Sequence, residues 1–166
     1  MSEPIDSSFI QMINTHIGIA VKISRVYGQN ADEREDLLQE MMYQLWRSFS
    51  SFDQRSKFST WMYRVCLNTA LTYRRKSHQK NMESISLEHD KIPDQPLENP
   101  DEAISLLYKA IATLTSVNKA VIMLFLEELR YEEIAHITGL SRSNVSVRLV
   151  RIKKELEKQL RTKLTP

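Results

Sequence analysis

Eight residues in the last third of the chain have the types and spacing to read a nucleic acid. Arg142, Ser143, Asn144, Ser146, Val147, Arg148, Val150 and Arg151 lie on one side of SRSNVSVRLVRIKKELEKQL. Its other side carries Val145, Leu149, Ile152, Leu156 and Leu160 at helical spacing. Arginine pairs with a guanine edge, asparagine with adenine, and valine touches a thymine methyl. Lys154 and Lys158, further along the open side, suit phosphates. Such a face must be held by a second helix, and YEEIAHITGL precedes it. There Ala135 permits two helices to cross closely, and Gly139, four residues on, permits a tight turn. Val145, six further, pins the second helix to the first, and Ser141 is a good helix cap. The spacing is that of a helix-turn-helix. The bland alternative is a helical hairpin with a basic solvated face.

A second constellation lies in KFSTWMYRVCLNTALTYRRK, residues 57–76. Ser59 and Thr60 can cap a helix, and no Gly or Pro interrupts the run from there to Lys76. At 100° per residue Met62, Cys66, Ala70 and Tyr73 share one side, an ordinary buried face. Opposite them stand Trp61, Arg64, Val65, Asn68, Thr72 and Arg75. A solvated face has little use for a tryptophan and a mid-helix asparagine among arginines. Arg74 points to the buried side and reads as a structural or phosphate arginine.

Two helices precede this one. The first places Phe9, Ile13, Ile17, Ala20 and Ile23 inward and stops at Gly28. The second, DEREDLLQEMMYQLWRSF, has Leu38, Met41, Met42, Leu45 and Phe49 as its buried stripe. Asp36, Gln39, Glu40, Tyr43 and Arg47 form its outer stripe, with Trp46 at the edge as an apolar anchor. SSFDQRSKFS is a loop.

Few turn residues, 3 Gly and 5 Pro, and many Leu, Met, Glu, Lys and Arg predict an all-α fold. The expected organisation is two small helical domains, residues 1–76 and 101–166, joined by a flexible acidic linker, residues 77–100. Hydrophobic residues make up 42% of the chain, enough to bury a core. A net charge of +2 says little, but its distribution says more. From Leu140 onward eight bases face two acids, whereas Ser77–Pro100 holds two bases and five acids. Two basic ends of helical blocks joined by an acidic connector suggest a polyanion touched twice. A single cysteine, Cys66, excludes a disulfide framework. The absence of a long apolar run and of a signal-peptide pattern predicts a cytoplasmic protein with no membrane insertion. No cofactor or metal is expected. Glu133 and His136 form a Glu-x-x-His, but the motif does not recur, so no enzyme is expected.

Taken together, DLLQE at 36–40, LW at 45–46, FSTWMYRV at 58–65, Asn68 and RRK at 74–76 resemble region 2 of the sigma-70 family. The class is that of the small two-domain extracytoplasmic-function (ECF) sigma factors. EEIA, GLS and the arginine pair Arg148 and Arg151 resemble region 4 of the same class. The resemblance covers nearly the whole chain in the right order. It implies a dissociable subunit of bacterial RNA polymerase that directs promoter recognition and DNA opening. A free-standing helix-turn-helix regulator is the alternative, but it leaves the face of Trp61, Asn68 and Arg75 unexplained.

The resemblance also implies site roles. Asp36, Gln39, Glu40, Tyr43, Trp46 and Arg47 would dock on polymerase core. Lys57, Ser59, Thr60, Trp61, Arg64, Asn68, Thr72, Arg75 and Lys76 would bind the promoter element near the start site, Trp61 by stacking on a base. The loop Phe52–Lys57 would wall a pocket for an extruded base. Arg142, Ser143, Asn144, Ser146, Val147, Arg148, Val150, Arg151 and Lys154 would bind the upstream element. An anti-sigma factor is an expected partner. Thr72 stands where the family often has Asp, and Arg130 where a Ser or Thr cap is common. The linker spans about 80 Å extended but roughly 27 Å as a coil, so tight promoter binding is expected only on the polymerase.

Overall fold

The computed structural model describes residues 7–83 and 102–164, and every regular element among them is helical. They are α1 (Ser7–Tyr27), α2 (Ala31–Ser48), a 3-10 turn (Phe49–Ser51), α3 (Phe58–Glu83), α4 (Glu102–Ala112), α5 (Ser116–Leu126), α6 (Tyr131–Thr138) and α7 (Arg142–Leu164). The chain divides into two compact units, Met1–His89 and Asp90–Pro166.

In the first unit α1, α2 and α3 pack pairwise around Ile23, Leu37, Met41, Leu45, Met62, Cys66 and Ala70, all fully buried. Gly28 ends α1 through close approach: a Cβ there would lie 2.6 Å from Arg34 Cγ and 2.8 Å from the Ser24 carbonyl oxygen. Asn30 caps α2 by accepting from the Glu33 amide at 2.9 Å, and Glu33 Oε2 accepts from the Gln29 amide at 2.8 Å. This reciprocal pair satisfies two donors that the helix start would otherwise leave open.

Three expectations change here. Ile17 faces solvent, and Ile19, Val26 and Tyr27 go inward instead. Leu37 takes the central position on α2, whereas Leu38 and Met42 are half-buried. The residue before an amphipathic stripe and the one inside it differ by only 100°, so a wheel alone does not separate adjacent leucines. Finally, α3 continues to Glu83, seven residues into the expected linker, because nothing in RRKSHQKNME breaks a helix. The rest of that linker lies outside the described residues.

In the second unit α7 packs on α4, α5 and α6. Val145, Leu149, Ile152 and Leu156 are buried as expected, and Leu160 is half-buried. Their partners include Ile111, Val121, Leu124 and Ile134, all fully buried. Thr115 caps α5. That helix ends with Glu128 in the left-handed region, φ 62°, while the Leu129 amide donates to the Leu124 carbonyl at 3.3 Å. The hydrogen bonds are those of a Schellman end, with glutamate where glycine is usual.

Candidate nucleic-acid interface

The helix-turn-helix of the second unit is built from local rules. Gly139 takes φ 76°, and its amide donates to the Ala135 carbonyl at 2.9 Å, closing α6. Ser141 Oγ accepts from the Asn144 amide at 3.1 Å and starts α7. Arg130 supplies no side-chain cap to α6. Its guanidinium instead donates to Glu133 Oε1, from Nε at 3.1 Å and from Nη2 at 3.0 Å.

With Val145 and Leu149 inward, α7 exposes Arg142, Ser143, Asn144, Val147, Val150, Arg151 and Lys154, while Ser146 and Arg148 are half-buried. Val147 and Val150 are 49% and 54% exposed, an apolar pair flanked by bases. Such a surface suits a groove wall carrying methyl groups and phosphates. Two of the candidate arginines on this face are already engaged. Arg142 Nε donates to Glu132 Oε1 at 2.7 Å, and its guanidinium lies 5.9 Å from the Tyr131 ring centre. The Glu132 carboxyl is held below its usual range, first by a hydrogen bond from its own backbone amide and then by Arg142. Arg148 donates from Nη1 to Asn118 Oδ1 at 2.9 Å and from Nε to Asn144 Oδ1 at 3.0 Å. Asn118, on α5, did not figure among the expected site residues. Its position inside the first turn of a helix, where asparagine has low propensity, was the available signal.

In the first unit two faces meet along a groove between α2 and α3. Asp36, Gln39, Glu40 and Tyr43 form one wall, and Val65, Asn68, Thr72 and Lys76 the other. All the expected outer residues of α2, Asp36, Gln39, Glu40, Tyr43, Trp46 and Arg47, are exposed or half-buried. Trp46 is 55% exposed, with its ring 6.3 Å from that of Tyr43. On α3 Asn68, Thr72, Arg75 and Lys76 are exposed and Arg64 is half-buried. Burial, then the carboxylates of Glu33 and Asp36, raise the Tyr73 hydroxyl above its ordinary value. The walls differ in sign. Asp36 and Glu40 repel a phosphate chain, whereas Lys76 attracts one, with Arg75 exposed beside it on α3 but outside the groove lining. An exposed Trp-Tyr pair beside carboxylates suits a protein partner instead.

Arg74 turns inward and pairs with Glu33 Oε2 at 3.6 Å, tying α3 to the capped start of α2. Trp61 departs from the wheel. It is only 9% exposed, packed at 5.2 Å from Phe52, 5.4 Å from Phe58 and 6.3 Å from Phe49 between ring centres. Phe9 on Phe49 at 4.8 Å and His16 on Phe58 at 5.1 Å complete the cluster. The reason is position: Trp61 is in the first turn of α3, where the 3-10 turn and Phe52 fold back over it. Ser59 and Thr60 lie within that turn, half-buried, since α3 begins ahead of them at Phe58. Of the loop 52–57, Phe52 is half-buried and Asp53 to Lys57 are exposed. Gln54 takes φ 63°, and Asp53 Oδ1 accepts from the Arg55 amide at 3.1 Å.

Among the described residues no helix is long and apolar enough to cross a membrane, and no group of His, Cys, Asp and Glu is placed to hold a metal ion.

Known proteins resemble this chain in sequence and in fold. Residues 12–80 match the family model for sigma-70 region 2, and residues 104–156 match that for sigma-70 region 4. The ECF RNA polymerase sigma factor SigW of Bacillus subtilis is 29% identical over 147 residues, covering 80% of this chain and 78% of its own. The RNA polymerase sigma factor SigV of the same organism is 26% identical over 158 residues, covering 91% and 90%. In fold, the sigma factor RpoE of Bartonella quintana, solved with the anti-sigma factor NepR, aligns with a TM-score of 0.80 at 20% identity. The alignment covers 93% of this chain and 97% of that one. CnrH, solved with the cytosolic domain of CnrY, aligns at 0.64 with 20% identity, covering 93% and 88%.

Proposed function

The chain belongs to the sigma-70 family, in its ECF class, and from that premise we propose how its surfaces divide the work. As an ECF sigma factor it directs transcription initiation, binding RNA polymerase and promoter DNA. The outer face of α2, with Asp36, Gln39, Glu40, Tyr43, Trp46 and Arg47, docks on polymerase core. The open face of α3, with Arg64, Asn68, Thr72, Arg75 and Lys76, holds the melted strand of the element near the start site, beside Lys57 and the loop that precedes it. Trp61 supports that loop from beneath. The exposed face of α7, with Ser143, Asn144, Val147, Val150, Arg151 and Lys154, enters the upstream element beside Arg142 and Ser146.

The observation that carries this reading is the α2–α3 groove, whose walls are opposite in charge character. A free-standing helix-turn-helix regulator has no need of an acidic, aromatic face set against an asparagine-bearing basic one. The reading also makes the chain a recognition subunit without chemistry of its own, working in the cytoplasm. A regulatory protein that covers these faces fits it, since one structural relative was solved with an anti-sigma factor.

Run-off transcription from fragmented genomic DNA, with core polymerase and the full chain, tests the assignment. Asn68→Ala is expected to cut promoter-specific transcripts at least tenfold while leaving co-elution with core intact. Unchanged transcripts would remove Asn68 and its face from DNA opening.

A further inference from the structure

The chain of contacts from Asn118 through Arg148 to Asn144 crosses from α5 to the exposed face of α7. Arginine has five donors and no acceptor. Both asparagines must therefore turn their carbonyl oxygens to it, and their amide orientation follows from chemistry. For Asn144, an exposed residue, this leaves the amide nitrogen, a donor of two hydrogens, as the end that Arg148 does not engage. Asn118 lies in the first turn of α5, where its own backbone amide donates to Thr115 Oγ1 at 3.4 Å. Asn144 is exposed, whereas Arg148 and Asn118 are half-buried, so the chain runs from the body of the unit out to its surface.

We propose that Asn118 is a positioning residue for sequence recognition: by holding Arg148 it fixes which end of the Asn144 amide meets the DNA. The inference rests on the reading of α7 as the upstream-element helix and deepens it. An amide whose oxygen is tied inward presents donors outward. It selects a base-edge acceptor, a purine N7 or a guanine O6, over the bare donor of a cytosine amino group. With Asn118 truncated, Arg148 loses its α5 partner and gains freedom to swing outward. Asn144 then loses its fixed orientation, and Arg148 becomes available to phosphates, which carry no sequence information. Asn118 itself touches no DNA in this scheme.

The test uses holoenzyme made from core polymerase and the full chain, and selects from a pool of duplexes randomised over about 40 base pairs, enough to span two elements more than two helical turns apart. Wild type is expected to enrich a two-part motif. Asn118→Ala should enrich the same downstream part, with preference at one upstream position reduced roughly tenfold. Asn118→Asp keeps the acceptor oxygen and should restore that preference, which a merely structural role for the amide would not produce. In the Arg148→Ala background, Asn118→Ala should add nothing. An unaltered upstream motif for Asn118→Ala, or independent and additive effects of the two changes, overturns the inference while leaving the reading of α7 intact. Failure of wild type to enrich any upstream part overturns that reading, and the inference with it.

Discussion

Trp61 and Trp46, the two tryptophans of the chain, show how much a residue's setting changes what its type can do. Trp46 is open to solvent beside Tyr43, whereas Trp61 is enclosed by Phe49, Phe52 and Phe58. Trp61→Ala should cost about 3–5 kcal/mol, read as a lowered thermal midpoint by circular dichroism. In a Trp46→Phe variant the remaining fluorescence should resist iodide quenching, and ready quenching would return Trp61 to the open face. Two left-handed residues carry opposite expectations. Gly139 is already suited to its turn, but Glu128 is strained at the end of α5. Glu128→Gly should raise stability by about 0.5–1 kcal/mol, after allowing for the greater unfolded-state freedom of glycine. An unchanged or lowered thermal midpoint would contradict this. Cys66 gives a pH dependence. Burial pushes its thiol up from 9.0 to about 12. The folded state therefore holds its proton where the unfolded chain releases it. The stability this confers is intact below pH 9.0 and drains as pH rises towards about 12. Native protein at about pH 8, below the ordinary thiol value, should accordingly react with thiol reagents only at its rate of opening. Rapid labelling would show the thiol to be exposed.

At the level of elements, the outer stripe of α2 and the core stripe of α7 were legible in the residues. Both lie mid-helix, where 3.6-residue periodicity rules side-chain direction. The helix-turn-helix was legible too, because Gly139, Ser141 and Val145 each answer a local requirement: a positive φ, a cap, an inward position. What escaped depended on chain folding back over an element. The 3-10 turn and Phe52 bury Trp61 at the start of α3, and the start of α2 draws Arg74 inward. Leu37, fully buried, takes the centre of α2 ahead of Leu38, in a helix that packs on both α1 and α3. The tie from Asn118 to Arg148 joins residues thirty positions apart, beyond the reach of a pattern read along one helix. These tertiary details are also the ones that set precision. Arg74 pairs with Glu33 between α3 and the start of α2, and Arg148 links α5 to Asn144 on α7.

On the scale of the whole molecule, two units carry three surfaces with different chemistry: an acidic aromatic face on α2, a polar basic face on α3, and a basic face with an apolar pair on α7. Two of them suit nucleic acid, and the first suits protein. The surfaces therefore fit a division of labour between polymerase and promoter, and the α2 face is where this chain differs most from a lone DNA-binding regulator. The most direct measurement is size-exclusion chromatography of the full chain mixed with bacterial polymerase core. Co-elution is expected, and it should be lost when Asp36, Gln39 and Glu40 are all changed to alanine with helical circular dichroism unchanged. Co-elution that survives the triple change would move docking off α2. A chain that ignores core and elutes as a stable dimer would contradict the division of labour itself.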